Sequence, residues 1–295
     1  MELRVLRYFL AIVREESISK AAEALHLTQP TLSRQIMELE EELGIKLLNR
    51  GKNNRKVTLT NEGRLFRKRA EELVELADKM RSEFSAAEGP VSGDIYIGSG
   101  ETEAMGLIAQ TATELQKEYP HIRYHLFSGN AADVTERLDD GLLDFGVLVG
   151  EADMTRYDYL PLPAADVWGV LMRKDSPLAE KSVVTQKDLS EIPLILSRQS
   201  LSNNELSGWY GGAFDEFNVV ATYNLIYNAA LMVSSGFGYA VALDKLVNTT
   251  GNSDLCFRPL APRLEARLSI VWKKHRGFSK AAELFLEKLR YLIHL

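Results

Sequence analysis

Cysteine is almost missing from this chain: its 295 residues include one, Cys256. A single thiol excludes an internal disulfide framework and a cysteine-rich metal site. Histidine is nearly as scarce, with five in all. His121 and His125 have the four-residue spacing that binds zinc on a helix, but they follow Pro120 in the alternating run IRYHLF. That run reads as a strand, where the two rings stand ~13 Å apart. No nucleophile elbow and no phosphate-cradling glycine loop is present. The run SSGFG (234–238) lacks the third glycine of a dinucleotide fingerprint and follows a helical stretch, so it reads as a helix end and tight turn. With no nucleophile–base pair, metal spacing or cofactor loop, the expectation is a protein that is not an enzyme and needs no cofactor.

Long apolar runs are missing too. The opening MELRVLRYFLAIVREES is interrupted by Glu2 and Arg7, and no small-residue cleavage site follows, so it does not read as a signal peptide. Leu3, Leu6, Leu10 and Val13 instead share one helical face. Residues 217–243 carry no charge, yet they include Asn218, Asn224, Asn228, Ser234, Ser235 and two glycines. That pattern fits strand, helix and strand in a soluble core better than a span of ~20 apolar residues. The expectation is a soluble, cytoplasmic protein with no membrane partner. At 45% hydrophobic and 26% charged residues it has ordinary globular composition, and its length suits about two domains.

What is present is an uneven charge. Residues 1–69 hold 14 Lys and Arg against 9 Asp and Glu, a net of +5, while the remainder carries −11. A basic head on an acidic body implies that the head alone meets a polyanion. The head opens with helical segments near 2–14, 18–25 and 29–43. The basic stretch LLNRGKNNRKVTLT (47–60) follows, with the turn chemistry and strand character of a hairpin. Thr60 then reads as the N-cap of a helix running to Ala87. Along it Phe66, Ala70, Leu73, Ala77, Met80, Phe84 and Ala87 alternate spacings of four and three among charged neighbours. This heptad stripe predicts a dimer seam between two copies. GPVSG (89–93) marks a boundary. Beyond it, runs such as IYIG (95–98), IRYHLF (122–127), FGVLV (145–149), VWGVLM (167–172), PLILS (193–197), NVVATY (218–223) and RLSIVW (267–272) read as strands. Helical patterns at 101–119 and 134–141 alternate with them and predict parallel sheet in an α/β fold. A second run of such units starts near SVVTQKDLSEIPLILS (182–197), which suggests two similar lobes.

The helix LTQPTLSRQIMELEEELG has chemically opposite ends. Ile36, Leu39 and Leu43 fall within ~40° of Leu32 on a helical wheel. Thr28 is a credible N-cap, and Pro30 is tolerated in a first turn because the amide it lacks has no partner there. The front therefore displays Gln29, Thr31, Ser33 and Arg34, while Glu38 and Glu40–Glu42 stay at the back. Amides, hydroxyls and arginine read base edges in the major groove, and helix N-termini attract phosphate. With SISKAAEAL (17–25), whose Ala21 and Ala22 permit close packing, this pattern predicts a helix-turn-helix.

Ser17, Ala21, Ala22, Leu25, Thr28 to Ile36, Leu39, Glu40, Leu43, Gly44, Leu47, Arg50, Leu59, Thr60 and Gly63 together form a pattern that resembles the LysR-type transcriptional regulators. The family's LFxR wing signature stands here as LLNR, with Leu48 in place of phenylalanine. YPHIRYHLF, LDDGLLDFGVLV and SSGFGYAVAL are similar to its effector-domain landmarks. The resemblance implies a winged helix-turn-helix at 1–59, a linker helix for dimerisation at 60–88, and a two-lobed α/β effector domain like the periplasmic binding proteins at 89–295. The first lobe is expected near 89–163 and 267–295, and the second near 164–266. The resemblance puts Gln29, Pro30, Thr31, Ser33 and Arg34 at the groove, and Arg50, Lys52, Arg55 and Lys56 at phosphate or minor groove. It implies an operator duplex, a small-molecule effector, a second copy of the chain in a dimer or tetramer, and RNA polymerase as partners.

Ligands in open α/β sheets bind beyond the carboxyl ends of strands. Three such ends carry polar groups: Ser99, Gly100 and Thr102; Ser128 and Asn130; Ser197 and Arg198. Hydroxyls, free amides and one arginine favour a small anion such as a carboxylate; Glu101 counts against this unless it points away. Two alternatives stand beside the regulator. A solute-binding module without DNA function would need no basic head, and a regulator of another winged-helix family would not ordinarily carry about two hundred residues of α/β domain.

Overall fold

The computed structural model of the chain describes residues 1–50, 56–85, 91–150, 155–198, 204–210 and 217–294. These fall into two compact units that divide after Ser85. The first holds α1 (Leu3–Glu15), α2 (Ile18–Ala24), α3 (Gln29–Leu43), β1 (Leu48–Arg50), β2 (Val57–Leu59) and α4 (Asn61–Ser85). Strands β1 and β2 pair antiparallel, Leu48 opposite Leu59, and form the hairpin that the turn residues predict.

Local chemistry fixes these boundaries. The Ser17 hydroxyl caps α2 by accepting the Lys20 amide. Ala21 and Ala22 are buried, and their lack of bulk lets α1, α2 and α3 close on one core of Leu6, Phe9, Ile12, Leu32, Ile36 and Leu39. Thr60 caps α4: its hydroxyl accepts the Gly63 amide at 2.8 Å and donates to the Lys46 carbonyl at 2.7 Å. Gly63 is required there, because a Cβ would meet the Leu47 carbonyl oxygen at 2.1 Å.

The second unit is built on a mixed sheet. Its elements are β3 (Ser92–Ser99), α5 (Met105–Glu118), β4 (His121–Ser128), α6 (Ala131–Asp139), β5 (Phe145–Val149), β6 (Tyr157–Arg173), β7 (Val184–Thr185), α7 (Gln186–Leu189), β8 (Leu194–Ser197), α8 (Asn204–Trp209), β9 (Val219–Tyr223), α9 (Ile226–Ser234), β10 (Tyr239–Leu243), β11 (Leu255–Ala261), β12 (Glu265–Lys273) and α10 (Lys280–Ile293). The main strand path is β4-β3-β5-β12-β6-β10-β8-β9, with β11 and β7 off it. Within each lobe the pairs β3–β4, β3–β5, β8–β10 and β8–β9 are parallel, as strand–helix alternation predicts. The long strands β6 and β12 pair antiparallel and run from the core around Phe145, Leu268 and Phe285 to the core around Trp168, Val170 and Ala266. The expected strand at 167–172 is therefore only the second half of β6. Its first half, YDYLPLPAAD, carries two prolines and no simple alternation, which conceals it in the sequence.

The charge-free stretch folds as strand, helix and strand in β9, α9 and β10. His121 and His125 both stand in β4, and His125 contacts Asp94 at 2.8 Å. No helix among the described residues is long and apolar enough to cross a membrane.

Candidate functional site

The first unit presents the front of α3 to solvent. Thr28 takes the N-cap position, its hydroxyl accepting the Thr31 amide, and Pro30 sits in the first turn. Leu32, Ile36 and Leu39 are buried and clamp the helix to the core. Pro30, Thr31 and Arg34 are exposed; Gln29 and Ser33 are half-buried at the margin of the stripe. Arg34 meets Glu38 at 3.6 Å, and both side chains are well exposed. An exposed helical pair of this kind is worth ~0.3–0.5 kcal/mol, so the guanidinium is readily released to another acceptor.

One acid at the back of α3 is not a solvent charge. Glu40 is buried, and its Oε1 accepts the backbone amides of Leu47 at 2.8 Å and Leu48 at 3.1 Å, while Lys46 Nζ meets Oε2 at 3.1 Å. Burial alone would raise its pKa, but the two amides and Lys46 outweigh it and hold the carboxyl below its ordinary value. Glu40 thus anchors β1 to α3. It differs in this from the other acids at the back of the helix, since Glu38, Glu41 and Glu42 are exposed. Of the wing cations, Lys56 is exposed and pairs with Glu16 at 2.8 Å. Lys52, Arg55 and the Arg50 side chain lie outside the described residues.

The heptad stripe of α4 divides. Phe66 packs edge-on to Phe9 at 5.1 Å, Ala70 is fully buried, and Val74 joins the same core. The first part of the expected seam therefore covers its own domain, a correction whose cause is the packing of α1 against α4. Leu73 and Met80 remain exposed at 45% and 54%, and Ala77 is half-buried. Two leucines outside the stripe, Leu65 and Leu76, are exposed as well. The Phe84 side chain and Ala87 lie outside the described residues.

In the second unit a small cleft of about 50 Å³ opens between the lobes, at the carboxyl ends of β3, β4, β8 and β9. It is lined by Gly100, Glu101, Gly129, Asn130, Ser197, Tyr223 and Asn224, over an apolar floor of Val149, Trp168, Ile226, Leu243 and Leu246. Three of the expected residues, Gly100, Asn130 and Ser197, lie on its wall. Asn130 also caps α6 in a reciprocal box with Asp133. The other four are placed differently. Ser99 is buried and donates to the Gly100 carbonyl at 2.6 Å. Thr102 is buried and donates to Asp166 Oδ2 at 2.6 Å. Ser128 and Arg198 are exposed and do not line the cleft. The helix expected from residue 101 begins at Met105, which leaves Glu101 and Thr102 in a turn that each side chain ties elsewhere.

Sequence reasoning missed Trp168, Tyr223, Asn224, Ile226 and Leu243. Applying the strand-end rule to β9 would have flagged Tyr223 and Asn224; nothing in the pattern marks Trp168. Tyr223 donates to the Val241 carbonyl at 2.7 Å, and its pKa is driven upward by burial first and by nearby Glu101 second. Asp166, fully buried on β6, is shifted upward chiefly by burial and further by Asp244, against the opposing Thr102 hydrogen bond.

Comparison with known proteins agrees with this geometry. Residues 3–64 match the model of the bacterial regulatory helix-turn-helix proteins of the lysR family, and residues 88–292 match the LysR substrate binding domain. The HTH-type transcriptional regulator BsdA of Bacillus subtilis is 30% identical over 253 residues, covering 82% of this chain and 83% of that protein. The crystal structure of CbnR, a LysR family transcriptional regulator, superposes with a TM-score of 0.78 at 20% identity over 99% of both chains. The structure of full-length CbnR with its target DNA gives 0.75 at 21%, again over 99% of each. A winged helix-turn-helix with a capped, polar-fronted α3, joined to a two-lobed α/β unit with an interlobe cleft, and both parts matched by family models, identify the chain as a member of the LysR family of DNA-binding transcriptional regulators.

Proposed function

We propose that the front of α3 reads an operator through Gln29, Thr31, Ser33 and Arg34, with Pro30 shaping the first turn, and that the interlobe cleft takes a small carboxylate that modulates transcription. One observation carries the DNA half of this reading: α3 is clamped by Leu32, Ile36 and Leu39, so its exposed polar turn is held rigid at the surface. A preorganised turn loses little entropy on contact with base edges. Arg50, Lys52, Arg55 and Lys56 supply phosphate or minor-groove contacts in this reading, with the salt dependence that counterion release brings. A protein acting on the chromosome works in the cytoplasm, and one that modulates a promoter meets RNA polymerase there.

The exposed face of α4, with Leu65, Leu73, Leu76 and Met80, pairs with a second copy of the chain in this account, and tetramers form from such dimers. For the effector, the cleft supports the reading through its backbone amides at strand ends and the start of α9. Ser197 and Asn130 remain its polar wall, while Ser128 and Arg198 stand outside it. Titrating the full chain against its operator tests the DNA half. Arg34→Ala should weaken specific binding by about 1–3 kcal/mol, the worth of a good base contact. Operator preference that survives Gln29→Ala and Arg34→Ala together would reject the assignment of α3.

A further inference from the structure

The interlobe cleft already contains an anion. Glu101, in the turn after β3, belongs to the first lobe; its Oε2 accepts the backbone amide of Ile226, the first residue of α9 in the second lobe. The nine-residue α9 has no cap of its own, since Leu225 stands at its N-cap position. Helix starts favour negative charge, through free amides and the helix dipole. Glu101 is also the one charged side chain among the described lining residues. The point in this cleft best suited to a ligand carboxylate is thus occupied by a carboxylate of the protein.

A second, independent observation concerns a residue of the same cleft. Trp168 is 6% exposed and lines the cleft, and its indole N–H is buried without an acceptor. A buried donor left unsatisfied is costly, and an acceptor arriving in the cleft would remove that cost. The Tyr223 hydroxyl is committed to the Val241 carbonyl. The Trp168 N–H and, once vacated, the Ile226 amide are donors for a newcomer.

We infer that Glu101 is an intramolecular competitor of the effector and sets its specificity. An incoming carboxylate takes the Ile226 amide and the Trp168 N–H, and the Glu101 side chain leaves for solvent. This rests on the reading that the effector is a carboxylate bound in the cleft. Two consequences follow from the geometry. The competitor lowers the apparent affinity by the fraction of time it vacates the site. Its expulsion also removes a hydrogen bond joining the two lobes, so ligand binding and lobe arrangement are coupled. A neutral ligand cannot replace the charge at the helix start and leaves Glu101 in place.

Calorimetric titration of the full-length protein with C4–C8 aliphatic and aromatic monocarboxylates, each beside its neutral primary amide, tests this. Wild type is compared with Glu101→Gln, Glu101→Ala and Trp168→Phe. The acid that binds wild type should bind Glu101→Ala and Glu101→Gln more tightly, by about tenfold for a competitor that fills roughly nine-tenths of sites. Affinity for the amides should stay level, and Trp168→Phe should weaken the acid. If the acid binds wild type and both Glu101 variants equally, or the variants more weakly, the competitor role is overturned while the carboxylate reading stands. Equal tightening for acids and amides would mean that Glu101 only fills space, and also overturns it. If no acid binds any of the four proteins, the carboxylate reading falls, and the competitor with it.

Discussion

Glu40 and Asp166 are two buried carboxylates with opposite tasks. Glu40 is held ionised by the Leu47 and Leu48 amides and Lys46, so its folded pKa lies below its unfolded one. Its contribution is present above the ordinary carboxylate range and is lost as pH falls through the folded value. Glu40→Ala leaves two buried amides without an acceptor and should cost about 2–4 kcal/mol. Hydrogen exchange at Leu47 and Leu48 reads this directly: both should lose protection in Glu40→Ala. Glu40→Gln keeps the carbonyl oxygen that both amides use and should cost less. Asp166 is shifted the other way, by burial first and Asp244 second. Its folded pKa exceeds the unfolded one, so the protonated form contributes stability at low pH that is lost as pH rises through the folded value. Asp166→Asn should therefore stabilise the second unit at neutral pH and flatten its pH profile. Chemical denaturation of wild type and variant from about pH 3 to pH 8 measures that, and parallel stability profiles would refute the assignment.

At the scale of elements, the readability of the chain follows how local the cause is. The bounds of α3 are legible because the Thr28 cap, Pro30, the Leu32–Ile36–Leu39 stripe and Gly44 all lie within the segment. β5 and the β9-α9-β10 stretch are legible from continuous apolar runs and turn residues. The first half of β6 is not, because its pairing with β12 over a separation of about a hundred residues overrides the prolines within it. The α4 stripe is partly misread for the same reason: periodicity marks an apolar face but does not say what covers it. Phe66 and Ala70 meet α1, whereas Leu73 and Met80 stay exposed beside Leu76. Likewise the cleft's loops are legible from strand ends, but the commitment of Ser99 to a backbone carbonyl and of Thr102 to Asp166 is not. Charge on the exposed face of α4 tests the pairing. An unpartnered charge in a buried apolar contact is expensive, so Leu76→Glu with Met80→Glu should shift sedimentation toward monomer. Phe66→Ala should instead destabilise the first unit by about 1–3 kcal/mol through lost packing on Phe9. An unaltered mass for the double variant at low concentration would place the dimer contact elsewhere.

For the molecule as a whole, the two units carry charge of opposite sign, which confines attraction for DNA to the basic one. For the proposed carboxylate, an acidic unit must rely on local donors, such as the start of α9 and the Trp168 N–H, rather than on net charge. The central claim is that this chain regulates transcription by reading an operator with the front of α3. A genome-wide binding map of the full-length protein, set beside that of Gln29→Ala with Arg34→Ala, tests it most directly. The account predicts sharp occupancy at a small set of promoters for the wild type and loss of those peaks in the double variant. Peaks of the same position and height in both proteins, or none in the wild type, would contradict it.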